Sequence, residues 1–414
     1  MKGTRIQRSD TMRTPDLNWL KDSRIFQVNR LQAYSDHKYT IGKDKKPSSF
    51  SLNGTWKFNQ SKNHDTCFKF FYNTEFNDAN WNDIQVPGHI QLQGFDNPHY
   101  TDVTYPWDGH DVVKAGQIDM DKNKVYQYRK TFDCPQDFIG NKLILSFEGA
   151  ESNIYVWLNG KFIGYSEDSF TPSRFDITKY TQEKDNVLCV RIFQKCTGTW
   201  LEDQDMWRFS GIFRDVMIYK QPSQHIQDLK IDTDIDLDTR KSVLSCVCKM
   251  SSNESHTLQA KLYDPQGNIV WNGNMQDSFE IPVENTCLWS SEFPNLYQLE
   301  LVLYDTNNEI IETIQEQVGF RKFTLEYGIM KLNGKRIVFH GINRHEWDPK
   351  TGRCLSQEQM EEDIHILKSL NINAVRTSHY PNNSYWYKLC DQYGIYVIDE
   401  MNLETHGVND ILPQ

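Results

Sequence analysis

The 414-residue chain lacks the marks of several large protein classes. It has no basic excess: 45 Lys and Arg stand against 56 Asp and Glu, a formal net charge of -11. A nucleic-acid binder needs a basic footprint to neutralise phosphates, so that class is excluded. No apolar run approaches bilayer-spanning length, and the opening MKGTRIQRSDTMRTPDLNWL holds none of signal-peptide length. There is no CxxC pair of zinc type. The nine cysteines, an odd number, read as small buried hydrophobes in a reducing compartment rather than a disulfide framework. Low-complexity tracts are absent too. A soluble cytoplasmic protein is expected, without nucleic-acid or membrane partners and long enough for two to four domains.

What is present is aromatic and strand-like. Aromatic content is 13%, with 11 Trp and 20 Tyr. Rings at this density pack β-rich cores or stack on sugars, and composition does not separate the two. Residues 1 to about 50 are polar and irregular, the pattern of an arm laid over something else. From 51 to about 220 short alternating strands dominate. The clearest hairpin is Ile154 to Tyr165, turning at Asn159-Gly160, a pair that accepts positive φ at both positions. A β-sandwich is implied. QPSQ, Gln221 to Gln224, reads as a linker. Residues 221–322 continue in short strands, consistent with a smaller immunoglobulin-like sandwich. Cys246 and Cys248 fall on one face of one of them.

The period changes from residue 323. An Asn-Gly turn at Asn333-Gly334 feeds an apolar strand, Ile337 to His340. A helix begins at Ser356, whose spacing to Gln359 makes a capping box. Met360, Ile364, Leu367 and Leu370 form its apolar stripe. NINAVRT is a second strand, SYWYKLCDQYG a second helix stopped at Gly394, and IYVIDEM a third strand. This alternation specifies parallel βαβ units.

Each strand is followed by chargeable residues: HGINRHEWDP, RTSHYPN and DEMNLETHG. In a (β/α)₈ barrel the loops after the strands form the active face. One histidine alone is more often structural; three such loops together mark a site. His345 and His379 stand where neutral imidazoles can donate to sugar hydroxyls. Arg376 is a fixed fork suited to holding a carboxylate. Glu404 and His406 are two apart and can face one cation, although a lone ExH is a weak motif. Far upstream, LEDQDMWRFSGIFRD is too apolar for a free loop; it should pack on another domain and lend Asp203 or Asp205 to a shared site.

These segments, with NAVRTSHYPN, WYKLCDQYGIYVIDE and NLETHG, resemble the β-galactosidases of glycoside hydrolase family 2, the bacterial large-subunit type above all. The likeness starts at NWLKDSRIFQVNRL and includes VPGHIQLQGF, VTYPWDG and YVWLNGKFIGYSEDSFTP. The resemblance implies an arm (1–50), a jelly-roll, galactose-binding-like domain (51–220), an immunoglobulin-like β-sandwich (221–322) and the N-terminal part of a TIM barrel (323–414). It implies retaining hydrolysis of terminal β-D-galactosides such as lactose. His345 and His379 would contact galactose and favour the transition state, and Arg376 would orient a site aspartate. Asp205 would bind Na+ and the galactose 6-hydroxyl, and Glu404 and His406 would be two Mg2+ ligands. Asp102 stands where some members carry a sugar-contacting Asn. The full-length form is expected to be a homo-oligomer or a large/small-subunit hetero-oligomer.

The resemblance also implies an absence. A retaining glycosidase needs two carboxyl groups about 5 Å apart. In this family both lie beyond the third barrel strand, so no catalytic residue is assigned within the chain. The barrel part is about 90 residues, whereas a whole barrel needs about 250. A truncated, inactive chain with exposed apolar surface is therefore expected. Were it active, Glu346, Glu400 and Glu404 would be the first residues to mutate. Three other readings fit parts of the pattern. One is a β-glucuronidase or β-mannosidase of the same architecture. Another is a non-catalytic carbohydrate-binding or complementing fragment. The third, a metal-dependent hydrolase built on Glu404, His406 and another His, would need an open zinc site with three protein ligands.

Overall fold

The computed structural model describes residues 14–405, with 106, 108–110, 112 and 115 excepted. Two antiparallel sheets form the first sandwich. One has seven strands, ordered Gln27–Val28, Lys161–Glu167, Asn153–Leu158, Asn186–Phe193, Val125–Phe132, Gly54–Ser61 and Asn82–Val86. The other has four: Ser173–Asp176, Lys142–Phe147, Val216–Gln221 and Ser49–Ser51. The expected hairpin turns at Asn159 (φ 51) and Gly160 (φ 77), the left-handed pair that matches strand twist. Its first strand is buried along its whole length. Ile154, Val156 and Leu158 enter the core between the sheets, whereas Tyr155 and Trp157 enter a second, aromatic core.

That second core is closed by the arm. Trp19 and Leu20 are buried in it, and Gln27–Val28 pairs with Ser166 and Tyr165. The arm then crosses to the second sandwich, where Tyr39–Ile41 and Lys46–Pro47 become the last two strands of a six-stranded sheet. The opposing sheet has three strands, Ile226–Asp236, Lys241–Met250 and Ser278–Val283. So the arm is a structural part of both sandwiches. The segment read as a linker is packed as well: Gln221 and Gln224 are each 4% exposed. Cys246 and Cys248 share the core of the second sandwich as free thiols, with sulfurs 3.8 Å apart.

The barrel segment holds three parallel strands and two helices: β1 (Gly341–Arg344), α1 (Gln357–Ser369), β2 (Ala374–Thr377), α2 (Ser384–Tyr393) and β3 (Tyr396–Ile398). β1 therefore begins after the expected Ile337–His340 stretch, which carries apolar side chains but joins no strand ladder. Gly341 permits the close approach: a Cβ there would lie 3.1 Å from the Ala374 Cβ. Ser356 caps α1 through a complete capping box with Gln359. Met360, Ile364 and Leu367 are buried, but Leu370 lies past the helix end and is 64% exposed. α2 ends at Gly394 in left-handed conformation. A Cβ there would meet the Ser291 carbonyl oxygen at 2.4 Å, so the second sandwich presses directly on this turn. The Trp289 indole also donates to the Asp391 carbonyl across that joint, at 2.7 Å. Only the middle strand, β2, is paired on both sides among the described residues. Val375 on it is fully buried, while Ile342 and Ile398 on its neighbours are exposed, as expected of a sheet that is not closed. No helix among the described residues is long and apolar enough to cross a membrane.

Candidate active site

Where β1 ends, the strand alternation sorts three side chains. Arg344 points inward, with its guanidinium over the Trp386 ring at 3.7 Å and hydrogen-bonded to Asp363 and Asn382. His345 points outward and Glu346 inward, the latter 1% exposed. A carboxylate so buried needs a cation and donors. Glu346 has Arg214 from the first sandwich at 2.8 Å and the Asn383 N–H at 2.8 Å. A reciprocal pair runs the other way: Arg353 of the barrel segment reaches Glu151 of the sandwich at 2.6 Å. The Arg353 guanidinium also donates to the Trp207 carbonyl at 2.5 Å. Each domain thus contributes one arginine and one glutamate to the joint.

At the end of β2, Arg376 grips Glu400, the second residue past β3. Its Nε lies 2.6 Å from one carboxylate oxygen and its terminal nitrogen 2.9 Å from the other. This is the two-pronged geometry that favours arginine over lysine. Both prongs are taken by Glu400, and the neighbouring Asp399 is held by Thr377 and Tyr387. His379 Nδ1 lies 2.9 Å from Glu400. The same Nδ1 lies 3.3 Å from the Arg376 terminal nitrogen, so Arg376, His379 and Glu400 form one polar cluster. The His345 ring meets it edge-on, with centroids 5.4 Å apart. Desolvation, and then the neighbouring His379, push the His345 pKa below its ordinary value.

The LEDQDMWRF segment divides as its burial dictates. Asp203 is 2% exposed and salt-bridged to Arg208 at 2.7 Å, so it is structural. Asp205 is half-buried, accepts a hydrogen bond from the Tyr100 hydroxyl and acts electrostatically on His345. That bond holds the Tyr100 hydroxyl above its usual pKa. Asp102 is exposed one residue past the Thr101–Met206 pairing, on the same ribbon. Glu202, overlooked in the sequence, is the anchor here. It accepts from the Ser169 N–H and hydroxyl, at 2.8 and 2.6 Å. It also accepts from the Asn402 amide at 2.8 Å, tying the loop after β3 to the sandwich. Burial, and then the Asp168 charge, push its pKa up to about 8.

Glu404, at the end of that loop, brings a ligand atom within 4.8 Å of those of His379 and Glu400. Half-buried carboxylate oxygen suits a hard dication such as Mg2+. Glu400 is poorly placed to serve as a ligand, because both its oxygens accept from Arg376. His406 lies outside the described residues. One Asp205 oxygen is engaged by the Tyr100 hydroxyl. The structure thus gathers His345, His379, Arg376, Glu404 and Asp205 around one mouth and adds Glu400. No local sequence pattern announces the reciprocal arginine pairs or Asn402.

Comparison with known proteins agrees with this architecture. Three models match end to end: "Glycosyl hydrolases family 2, sugar binding domain" over residues 50–222, "Glycosyl hydrolases family 2" over 224–321, and "Glycosyl hydrolases family 2, TIM barrel domain" over 323–413. A β-galactosidase of Halalkalibacterium halodurans is 50% identical over 405 residues, 95% of this chain and 40% of that protein. One of Clostridium acetobutylicum is 45% identical, covering 95% and 45% respectively. A β-galactosidase large subunit of Leuconostoc lactis is 41% identical, covering 95% and 66%. The chain therefore spans less than half the length of the first two relatives. Among solved structures, a β-glucuronidase of Ruminococcus gnavus in complex with D-glucuronic acid superposes with a TM-score of 0.72 at 21% identity, covering 92% of this chain and 62% of that one. At that identity the likeness concerns the fold. With two sandwiches followed by parallel βα units, and family models covering them in the same order, the chain belongs to glycosyl hydrolase family 2.

Proposed function

We propose that this chain binds and orients the galactosyl group in a retaining β-galactosidase acting on terminal β-D-galactosides such as lactose. The observation that carries this is convergence. His345, His379 and the Arg376–Glu400 fork stand at the ends of three parallel strands, with the sandwich's Asp205 near enough to act electrostatically on His345. Imidazoles and carboxylates match the hydroxyls of an uncharged sugar. The arginines described around the mouth are already matched by carboxylates: Arg376 by Glu400, Arg353 by Glu151, Arg214 by Glu346 and Arg208 by Asp203. That favours a galactoside over a glucuronide, whose carboxylate would need an uncommitted cation.

Glu346 and Glu400 are each engaged by an arginine, and we assign both catalytic carboxyls to the length of the relatives that this chain does not match. Glu404 and His406 would hold Mg2+, and Asp205 Na+; such ions supply positive charge beside the sugar. The large-subunit relatives support assembly with a second, smaller chain. The test is calorimetry of the 414-residue chain with a β-galactoside and with a β-glucuronide, beside a chromogenic β-galactoside assay in Mg2+ and Na+. Galactoside binding without turnover is expected. Preferential glucuronide binding overturns the substrate, and turnover by the purified chain overturns the placement of the catalytic carboxyls.

A further inference from the structure

The inner face of strand Lys241–Met250 carries Ser242, Leu244, Cys246 and Cys248 in alternation, all buried. This is the middle strand of the three-stranded sheet of the second sandwich, paired with Ile226–Asp236 on one side and Ser278–Val283 on the other. Cys246 and Cys248 are 1% and 3% exposed and share a core with Leu229, Phe279 and Ile281. The buried residues of that core all come from the second sandwich, so its burial owes nothing to the barrel. The two sulfurs lie 3.8 Å apart, in direct contact. As packing, two thiols behave as small hydrophobes. As chemistry, touching thiols are one two-electron oxidation away from a disulfide.

Geometry allows that bond, at a cost. Two positions along an extended strand span about 6.8 Å between Cα atoms. That is the upper end of the roughly 4.4–6.8 Å a disulfide tolerates, so the closed form is strained and readily reduced. Access comes from the end of the strand. The ladder to Ser278–Val283 stops at the Val247–Ser278 pair, with one further bond from the Cys248 N–H to the Asp277 carbonyl at 2.7 Å. On the other side the register slips between Ile226 and Asp228, opposite Met250 and Lys249. Local opening begins where ladders end or break, so Cys248 can meet solvent without unfolding of the sandwich. At rest the contact with Cys246, and then burial, hold the Cys248 thiol above its ordinary pKa. Opening to water restores the thiolate that exchange needs.

We propose that Cys246 and Cys248 are a dithiol site that exchanges with small disulfides of the glutathione class and closes reversibly to an intrastrand disulfide. The Cys248 thiolate attacks one sulfur of the small disulfide, forms a mixed disulfide and expels one small thiolate. The Cys246 thiolate then attacks the Cys248 sulfur and expels the second. The protons lost by the two cysteines end on the two small thiols released; the protein gives up two electrons and the small disulfide gains them.

Trypsin releases Ser242–Lys249, a peptide holding these two cysteines and no other. The experiment exposes the native 414-residue chain to oxidised glutathione, denatures it in excess iodoacetamide, digests it and weighs that peptide. In the wild-type chain it should be lighter by two hydrogens and carry no alkyl group. Treatment with reduced glutathione before denaturation should return it to two alkylated thiols. Cys246→Ala should instead leave glutathione attached to Cys248, because the thiol that resolves the mixed disulfide is gone. Two alkylated thiols after oxidation of the wild-type chain, a glutathione adduct without closure, or closure only in urea would each overturn the inference. Resistance to reduced glutathione would mark an unstrained structural disulfide and overturn its reversibility.

Discussion

In the first sandwich the strand Asn153–Leu158 is buried along its whole length, between a core on one face and the arm's aromatic cluster on the other. In the barrel segment Ile342 on β1 and Ile398 on β3 are 40% and 51% exposed. Yet the barrel's loops are tied down by buried polar contacts. Their order comes from across the joint, through Arg214–Glu346, Arg353–Glu151 and Glu202–Asn402. A site can therefore be held in shape by polar contacts with a neighbouring domain even where its own sheet is only partly covered.

Core truncation should show the contrast at its largest. Phe58 is fully buried, and Phe58→Ala should destabilise the first sandwich by about 3–5 kcal/mol. Ile342→Ala on β1 should change stability by less than about 1 kcal/mol, because the side chain already faces solvent. Urea midpoints of the two variants measure the gap, and equal losses would erase the distinction drawn here. Next comes the joint. Arg214→Ala leaves the Glu346 carboxylate buried without its cation, at a cost of about 3 kcal/mol. Amide hydrogen exchange should quicken around residues 345–349 while the Asn159 hairpin keeps its protection. Uniform loosening would show that the sandwich depends on the barrel as much as the reverse.

A smaller effect is pH-dependent. The folded-state pKa of Glu202 is about 8, above its ordinary value of 4.5. Between those values the folded chain holds a proton that the unfolded chain has released. The contribution is thus complete below about pH 4.5 and is lost as pH rises toward 8. Glu202→Gln should remove that decline, flattening stability against pH by up to about 1.4 kcal/mol per unit within the window. Glu312, in the second sandwich, has its pKa raised to about 8 by burial and adds a parallel slope, so the wild-type-minus-variant difference is the quantity to follow. Smallest is the cap: Ser356→Ala removes the side-chain acceptor at the start of α1 and should cost about 1 kcal/mol by thermal unfolding.

What the sequence made legible was local. The turns at Asn159-Gly160 and Asn333-Gly334, the Ser356–Gln359 box and the Gly394 stop are each set by residues within a few positions of one another, and all four are present. The three site-bearing loops were legible because strand–helix alternation fixes which strand end faces the mouth. The misses lie at longer range. Ile337–His340 is apolar but unpaired, and a ladder partner is invisible to periodicity. QPSQ looks like a linker because its polarity hides its burial. Arg214–Glu346, Arg353–Glu151 and Glu202–Asn402 join residues 132, 202 and 200 positions apart, so no local pattern could announce them. Arg376 was read as a fork for a carboxylate; that Glu400 fills the fork is visible only once the strands bring residues 24 positions apart together.

The arm's double docking has a consequence in time. Val28 pairs with Tyr165, whereas Tyr39–Ile41 pairs with Glu312–Ile314, more than 270 positions downstream. A ribosome adding roughly 5–20 residues per second would need about 15–55 seconds to reach that second partner. The arm can therefore be clasped at one end while the other waits, and the six-stranded sheet stays two strands short until nearly all of the second sandwich has emerged.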